Sequence, residues 1–225
     1  MKAMILAAGR GQRLRPLTDT RPKPLVEVGG KSLIERHLDA LSQAGFREVV
    51  INLAWLGEKI EQTVGDGRRW DLTIRYSREP EQALETAGGI IQALPWLGDD
   101  PFVVISGDIL CDFPLRSLQT LQPPVLGHLV MVDNPAHHPR GDFHLGADGR
   151  LSSSQPALTF SGIAVLSPEM FHNCDPGRRP LRPLFDRAAA AGQLTGQHHQ
   201  GLWSDVGTPE RLAAIRQQLG RKTGH

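Results

Sequence analysis

The sequence predicts an α/β fold built on a doubly wound, mostly parallel sheet in a single domain, and three observations carry that expectation. Short apolar runs of strand length alternate with amphipathic segments of helical length through the first half of the chain, the pattern of parallel strands joined by crossover helices. The first run, Met4-Ile5-Leu6-Ala7-Ala8, opens directly into Gly9-Arg10-Gly11, so a buried strand delivers a glycine-bearing loop. Finally, 225 residues with 40% apolar and 22% charged side chains suffice to bury a substantial core, and neither a linker nor an internal repeat divides them.

The elements follow in order. Ser32 with Glu35 three residues on forms a capping box, and Leu33, Ile34, Leu38 and Leu41 then make the apolar stripe of a helix that Gly45 ends. Val49-Val50-Ile51 is the next strand. A helix around Gly57–Val64, a strand over 72–76, a helix opening at Thr86 and a strand over 102–105 complete the alternation. From Pro123 the rhythm changes: 125–132 and 158–166 read as strands, and 133–156 between them is rich in Pro, His, Gly and Ser. That stretch reads as a flap over a ligand, with a mobile surface loop as the alternative. Near the C-terminus Thr208 caps a helix with Pro209 at its first position, and Leu212, Ile215 and Leu219 form its apolar side before Gly220.

The loop after the first strand, Gly9-Arg10-Gly11-Gln12-Arg13-Leu14-Arg15-Pro16-Leu17-Thr18, reads as a triphosphate cradle. Glycines permit positive φ and close backbone approach, so amide N–H groups can face phosphate oxygens, while Arg13 and Lys23 supply charge. Two better-known glycine loops are excluded. A P-loop ends in Gly-Lys-Ser/Thr, whereas Gly11 is followed by Gln12-Arg13; a dinucleotide fingerprint needs a third glycine where Leu14 stands and an acidic residue after the second strand, which ends in Asn52.

A net charge of +1, from 25 basic and 24 acidic residues, excludes a nucleic-acid face and leaves positive charge to local use such as phosphate binding. No apolar run is long enough for a membrane span, and Met1-Lys2 leads straight into a core strand, so neither a membrane partner nor a signal peptide is expected. Cys111 and Cys174 form no metal-binding spacing and suit a reducing compartment; the expected location is the cytoplasm. The pairs His137-His138 and His198-His199 are adjacent in sequence, do not share a strand or helix face, and are expected at the surface.

The loop together with Pro22-Lys23-Pro24-Leu25 resembles the signature of the nucleotidyltransferases that activate sugar 1-phosphates. Glu85-Thr86-Ala87-Gly88-Gly89, Gly107-Asp108 and Trp203-Ser204-Asp205-Val206-Gly207-Thr208 are similar to that family's base-binding segment and its two metal-binding aspartates, in the same order. The resemblance spans nearly the whole chain and implies a Rossmann-like nucleotidyltransferase fold, with residues 1–110 as the nucleotide-binding half and 111–225 as the sugar- and metal-binding half. Within the family, the short length and the segments Asn52-Leu53-Ala54-Trp55-Leu56-Gly57, Val132-Asp133-Asn134-Pro135-Ala136-His137-His138 and Arg140-Gly141-Asp142-Phe143 are most similar to its bacterial muramate-sugar uridylyltransferase branch.

What the resemblance implies is an in-line transfer from UTP to a sugar 1-phosphate, with Arg13, Lys23 and Asp108 as catalytic residues. Ala8, Gly9, Gly11, Gln12, Arg13, Lys23, Glu79, Gly88 and Gly107 would hold the nucleotide, with the bare backbone at Gly88 and Gly89 lying against the base. Asp108 and Asp205 would hold one Mg²⁺, a hard cation that takes its other ligands from water and phosphate; without the loop at Gly9, both aspartates would read as turn residues. Gly141, Asp142, Ser161 and Arg140 would contact the sugar, because the Glu-Lys-Pro that many relatives carry before Phe160 is replaced here by Gln155-Pro156-Ala157, and Glu85 stands where glycine is usual. Sugar and base identity do not follow from the phosphate loop, so a mannose- or glucose-1-phosphate nucleotidyltransferase and a non-catalytic sugar-nucleotide-binding relative stay open. The chain carries none of the appended domain that longer relatives use for assembly, and a monomer is expected.

Overall fold

The computed structural model describes residues 1–80 and 84–222. Its principal strands are β1 (Ala3–Leu6), β2 (Glu48–Leu53), β3 (Thr73–Arg78), β4 (Phe102–Ser106), β5 (Ile109–Cys111), β6 (Gly127–Val132), β7 (Thr159–Leu166), β8 (Leu194–His198) and β9 (Trp203–Asp205). The helices that matter to the site are α1 (Leu33–Gln43), α2 (Gly57–Val64), α3 (Glu85–Leu97), α4 (Arg182–Ala190) and α5 (Pro209–Lys222). Seven strands form one sheet in the order β8-β6-β7-β4-β1-β2-β3. Pairing is parallel throughout except on the two sides of β7, which runs antiparallel to β4 and β6.

Strand periodicity explains why helices cover both faces. Along β1, β2 and β4, Ala3, Ile5, Val49, Ile51, Val103 and Ile105 point to one core, shared with Ile34, Leu38 and Leu41 of α1 and Ile60 and Val64 of α2. Their neighbours Met4, Val50, Phe102 and Val104 point to the other core, under Ala87, Ile90 and Ala93 of α3 and Leu184, Phe185 and Ala188 of α4. A smaller third cluster seats α5, through Leu212 and Ile215, on Leu14, Val26, Leu110 and Val206.

Local chemistry holds where it was specific. Glu35 N donates to Ser32 Oγ at 3.4 Å and Ser32 N to Glu35 Oε2 at 3.1 Å, closing the capping box of α1, and Arg211 N reaches the Thr208 hydroxyl at 3.4 Å at the start of α5. Three expectations need correction. Helix α3 opens at Glu85, one residue before Thr86, with Glu85 itself at φ +57. Gly220 does not end α5, which continues to Lys222. Strands β5, β8 and β9 and helix α4 gave no pattern that sequence reading caught: β8 is polar at most positions and α4 has no side-chain cap. The flap is anchored, since Phe143 is fully buried and Leu151 nearly so, and a short hairpin pairs His144–Leu145 with Leu151–Ser152.

Candidate active site

Strand order reverses at β1, whose two parallel neighbours are β2 and β4, and the crevice beyond the carboxyl ends of such strands is where doubly wound sheets bind ligands. The loop leaving β1 is pinned there. Gly11 sits at φ +64, and a Cβ on it would meet Thr18 Cγ2 at 2.9 Å. Thr18 Oγ1 donates to the Gly11 carbonyl at 2.8 Å, Trp55 Nε1 donates to the Thr18 carbonyl at 2.9 Å, and the Arg10 guanidinium lies 4.5 Å from the Trp55 ring centre. The turn after β4 is equally tight: Gly107 N donates to Leu6 O at 2.9 Å, and a Cβ at Gly107 would lie 2.6 Å from that oxygen, so glycine brings Asp108 close to β1.

The two aspartates reach one edge through an antiparallel pair. Ile109 of β5 lies opposite Asp205 of β9, and Val206 N donates to the Asp108 carbonyl at 2.8 Å. Lys23, with its side chain only 10% exposed, donates from Nζ to Asp108 Oδ2 at 2.5 Å. Asp205 Oδ2 accepts from Arg211 Nη1, which also donates to His137 Nε2 at 2.7 Å. A guanidinium only donates, so His137 accepts through Nε2 and carries its proton on Nδ1; its 3.3 Å approach to Asp205 is proximity, not a hydrogen bond.

Two cavities open at this edge, of about 660 and 810 Å³. The first is lined mainly from 1–110, by Ala8, Gly9, Gly11, Gln12, Lys23, Asn52, Glu79 and Gly107, with Gly207 from the other half. Aromatic rings of Phe143, Phe160, Phe185 and Trp203 line the second, with His137, His138, Asp142, Ser161, Arg182 and Asp205, so it draws on both halves. Arg13, Glu85, Thr86, Ser106 and Asp108 belong to both walls. The junction therefore holds a cation, a carboxylate and a helix start between two chambers.

Most of the sequence-selected residues converge here; Gly88, Gly89, Arg140 and Gly141 do not. Gly88 lines neither cavity: a Cβ there would lie 2.2 Å from the Gly177 carbonyl oxygen, so its bare backbone clears protein rather than a base, and Glu85 and Thr86 form the wall instead. Arg140 is exposed and Gly141 buried, and neither lines a cavity; the arginine on the second wall is Arg182. Asp142 is there but engaged, with Oδ2 accepting from Phe160 N at 2.8 Å and Oδ1 facing His138 Nε2 at 3.2 Å and Arg182 Nη1 at 3.3 Å. Trp203, whose Nε1 donates to the Ser161 carbonyl at 2.8 Å, was missed as a wall residue. His137 and His138 lie at the surface of the flap, as expected, and there they also line the open second cavity.

Burial holds His37, on α1, down to about 4 against the opposing effects of the Asp108 charge and a backbone hydrogen bond at Ile109, so it is neutral at neutral pH. Burial raises the Cys111 thiol to about 11, which keeps it from acting as a thiolate. Among the described residues no group of three or more His, Cys, Asp or Glu could hold a metal by itself. Asp108 and Asp205, hard oxygen donors at one edge of the site, are the residues that would hold a divalent cation taking its remaining oxygens from water and a phosphate ligand.

A phosphate loop and a carboxylate pair at the switch point of this sheet define a nucleotidyltransferase. The chain belongs to the nucleotidyl transferase family, whose pattern matches residues 2–122. It is 50% identical, over 98% of its own length and 99% of the relative's, to the N-acetylmuramate alpha-1-phosphate uridylyltransferase of Neisseria meningitidis serogroup B, strain ATCC BAA-335 / MC58. It is 34% identical over 96% of both chains to the protein of the same name from Caulobacter vibrioides. In fold it matches a Bacillus anthracis protein solved in complex with a sucrose, with a TM-score of 0.84 at 20% identity, covering 97% of this chain and 94% of that one. No helix among the described residues is long and apolar enough to cross a membrane.

Proposed function

We propose that this protein transfers a uridylyl group from UTP to N-acetylmuramate 1-phosphate, giving UDP-N-acetylmuramate and pyrophosphate, as a step in the reuse of cell-wall sugar. The observation that carries this reading is the wall that the two cavities share at Arg13, Thr86 and Asp108, the arrangement that a transfer between two phosphorylated ligands requires. The half-identical relative, aligned end to end, is an N-acetylmuramate alpha-1-phosphate uridylyltransferase by name, which supports this choice of base and sugar.

The chemistry needs no nucleophilic side chain. A phosphate monoester has its second pKa near about 6, so the sugar 1-phosphate oxygen is already anionic at neutral pH. It attacks the α-phosphorus in line, the bond from that phosphorus to the bridging oxygen breaks, and pyrophosphate leaves with the electron pair. In this reading Lys23, largely buried, paired with Asp108 and on the wall of the first cavity, contributes charge to the α-phosphate as it meets the sugar phosphate, and Arg13 on both walls offers a fork of donors to the departing pyrophosphate. Main-chain N–H groups of the Gly9–Gly11 loop face the remaining phosphate oxygens. Positioning and fixed charge supply the acceleration. Mg²⁺, held by Asp108 and Asp205, would neutralise phosphate charge when bound.

The aromatic floor of Phe143, Phe160 and Phe185 offers room for the bulk of a lactyl-substituted sugar, and Arg182 and His138 stand on its polar side. Because UTP is a cytoplasmic nucleotide, this reading places the enzyme in the cytoplasm, and it requires no nucleic acid or membrane. The test is pyrophosphate release from each of the four nucleoside triphosphates against N-acetylmuramate, N-acetylglucosamine, mannose and glucose 1-phosphates. UTP with N-acetylmuramate 1-phosphate is expected to exceed UTP with N-acetylglucosamine 1-phosphate by about tenfold to a thousandfold in kcat/KM. Equal or reversed efficiency rejects the muramate assignment, and a mannose or glucose 1-phosphate leading the series replaces it.

A further inference from the structure

Two adjacent buried glycines of α3 face different parts of the protein. A Cβ on Gly88 would lie 2.2 Å from the Gly177 carbonyl oxygen, whereas a Cβ on Gly89 would lie 2.5 Å from Glu79 Oε1 and 2.8 Å from Asn52 Nδ2. Neither glycine has the positive φ that would itself demand glycine, so the close approach of these neighbours is what excludes a side chain.

On the Gly88 side, residues 177–182 form a strap docked on the start of α3. The Arg179 carbonyl accepts from Ala87 N at 3.0 Å and Gly88 N at 3.2 Å, and Arg179 N donates to Leu84 O at 2.8 Å. Arg178 Nε donates to Glu85 Oε1 at 2.7 Å, from the residue held at φ +57. The strap then runs into Pro180, Leu181 and Arg182, which line the second cavity, and Arg182 lies 4.6 Å from the Phe143 ring centre. On the Gly89 side, Asn52 Nδ2 donates to Glu79 Oε1 at 2.7 Å and Ala7 N donates to Asn52 Oδ1 at 2.7 Å, a chain that ends at the strand feeding the phosphate loop.

We infer that Gly88 and Gly89 are separate positioning residues for the two substrates. Gly88 admits the strap and so places the wall of the sugar cavity; Gly89 leaves room for the Glu79–Asn52–Ala7 chain that shapes the nucleotide cavity. The inference rests on the assignment of the two cavities made above.

The two alanine variants test it as a pair, because alanine is the better helix former and neither change weakens α3 by itself. Gly88→Ala is expected to raise KM for N-acetylmuramate 1-phosphate by about tenfold or more while the Kd of Mg·UTP without sugar moves by less than about threefold; Gly89→Ala is expected to do the reverse. Amide hydrogen exchange at Arg179 should accelerate in Gly88→Ala and not in Gly89→Ala. Should Gly88→Ala fail to fold, Arg178→Ala, at the exposed ion pair, should move KM and exchange in the same direction by less. The inference falls if Gly88→Ala weakens UTP binding as much as Gly89→Ala does, or if the folded strap variant leaves both Arg179 exchange and the sugar KM at wild-type values. A wild-type enzyme inactive with UTP and N-acetylmuramate 1-phosphate would overturn the substrate assignment instead. The exchange and UTP measurements use no sugar and still decide the roles of the two glycines.

Discussion

Replacing Lys23 by methionine removes one charge and little volume from a place where both are accounted for. The ammonium lies 2.5 Å from Asp108 Oδ2 with its side chain 10% exposed, whereas the Asp108 side chain is 38% exposed. Water can therefore reach the abandoned carboxylate and replace part of what is lost, so Lys23→Met should cost about 1–3 kcal/mol of stability. In a domain of this size that lowers Tm by a few degrees, at about 2–4 °C per kcal/mol. The effect on turnover should be larger, because loss of one preorganised charge at the reacting phosphates typically costs about a hundredfold to a thousandfold in kcat. Pyrophosphate release at saturating UTP and sugar, alongside a thermal melt, separates the two effects. A folded Lys23→Met enzyme whose kcat stays within about threefold of wild type would refute the argument that this cation stabilises the transition state.

Three further outcomes follow from the same geometry. Asp108→Asn and Asp205→Asn should each abolish activity and weaken Mg²⁺-dependent UTP binding in calorimetric titration, since an amide is a poor oxygen donor to a hard cation; normal Mg²⁺ dependence in either variant would return that residue to a turn role. His37 titrates at about 4 when folded and at its ordinary 6.5 when unfolded, so below 6.5 the unfolded chain binds the extra proton and stability falls as pH drops from 6.5 towards 4. The full loss is on the order of 3 kcal/mol, and melts of His37→Leu against wild type across that window should show the shallower dependence in the variant. Light scattering should report a monomer at micromolar concentration, because among the described residues Met1 is the only exposed large hydrophobic side chain; a stable dimer would contradict this.

The phosphate loop was legible because its chemistry is local. Gly9 to Lys23 lie within one stretch, and glycine freedom plus nearby cations can be read without knowing what packs behind them. The capping boundary at Ser32 was legible for the same reason, since a hydroxyl and a carboxylate three residues apart satisfy each other's backbone. The sugar side was not. Arg140 and Arg182 are equally plausible cations from sequence, both are exposed, and only the docking of the strap and of α4 decides that Arg182 lines the cavity and Arg140 does not. Likewise Gly88 invites the reading that a ligand lies against it, until the Gly177 carbonyl is seen in that space.

By itself the sequence determined the alternating α/β order, the buried strands and the glycine-bearing loop that leaves the first of them, because hydrophobic period, turn chemistry and capping act over a few residues. It also named Asp108 and Asp205 as a candidate pair, but their meeting depends on β5 and β9, which lie far apart in the chain, pairing antiparallel. Tertiary structure alone decided the reversal of strand order at β1, the antiparallel insertion of β7, and the junction of two cavities at Arg13, Thr86 and Asp108. Those features are set by which apolar faces bury against one another and how close two backbones can come, quantities that belong to pairs of segments and are absent from either segment alone.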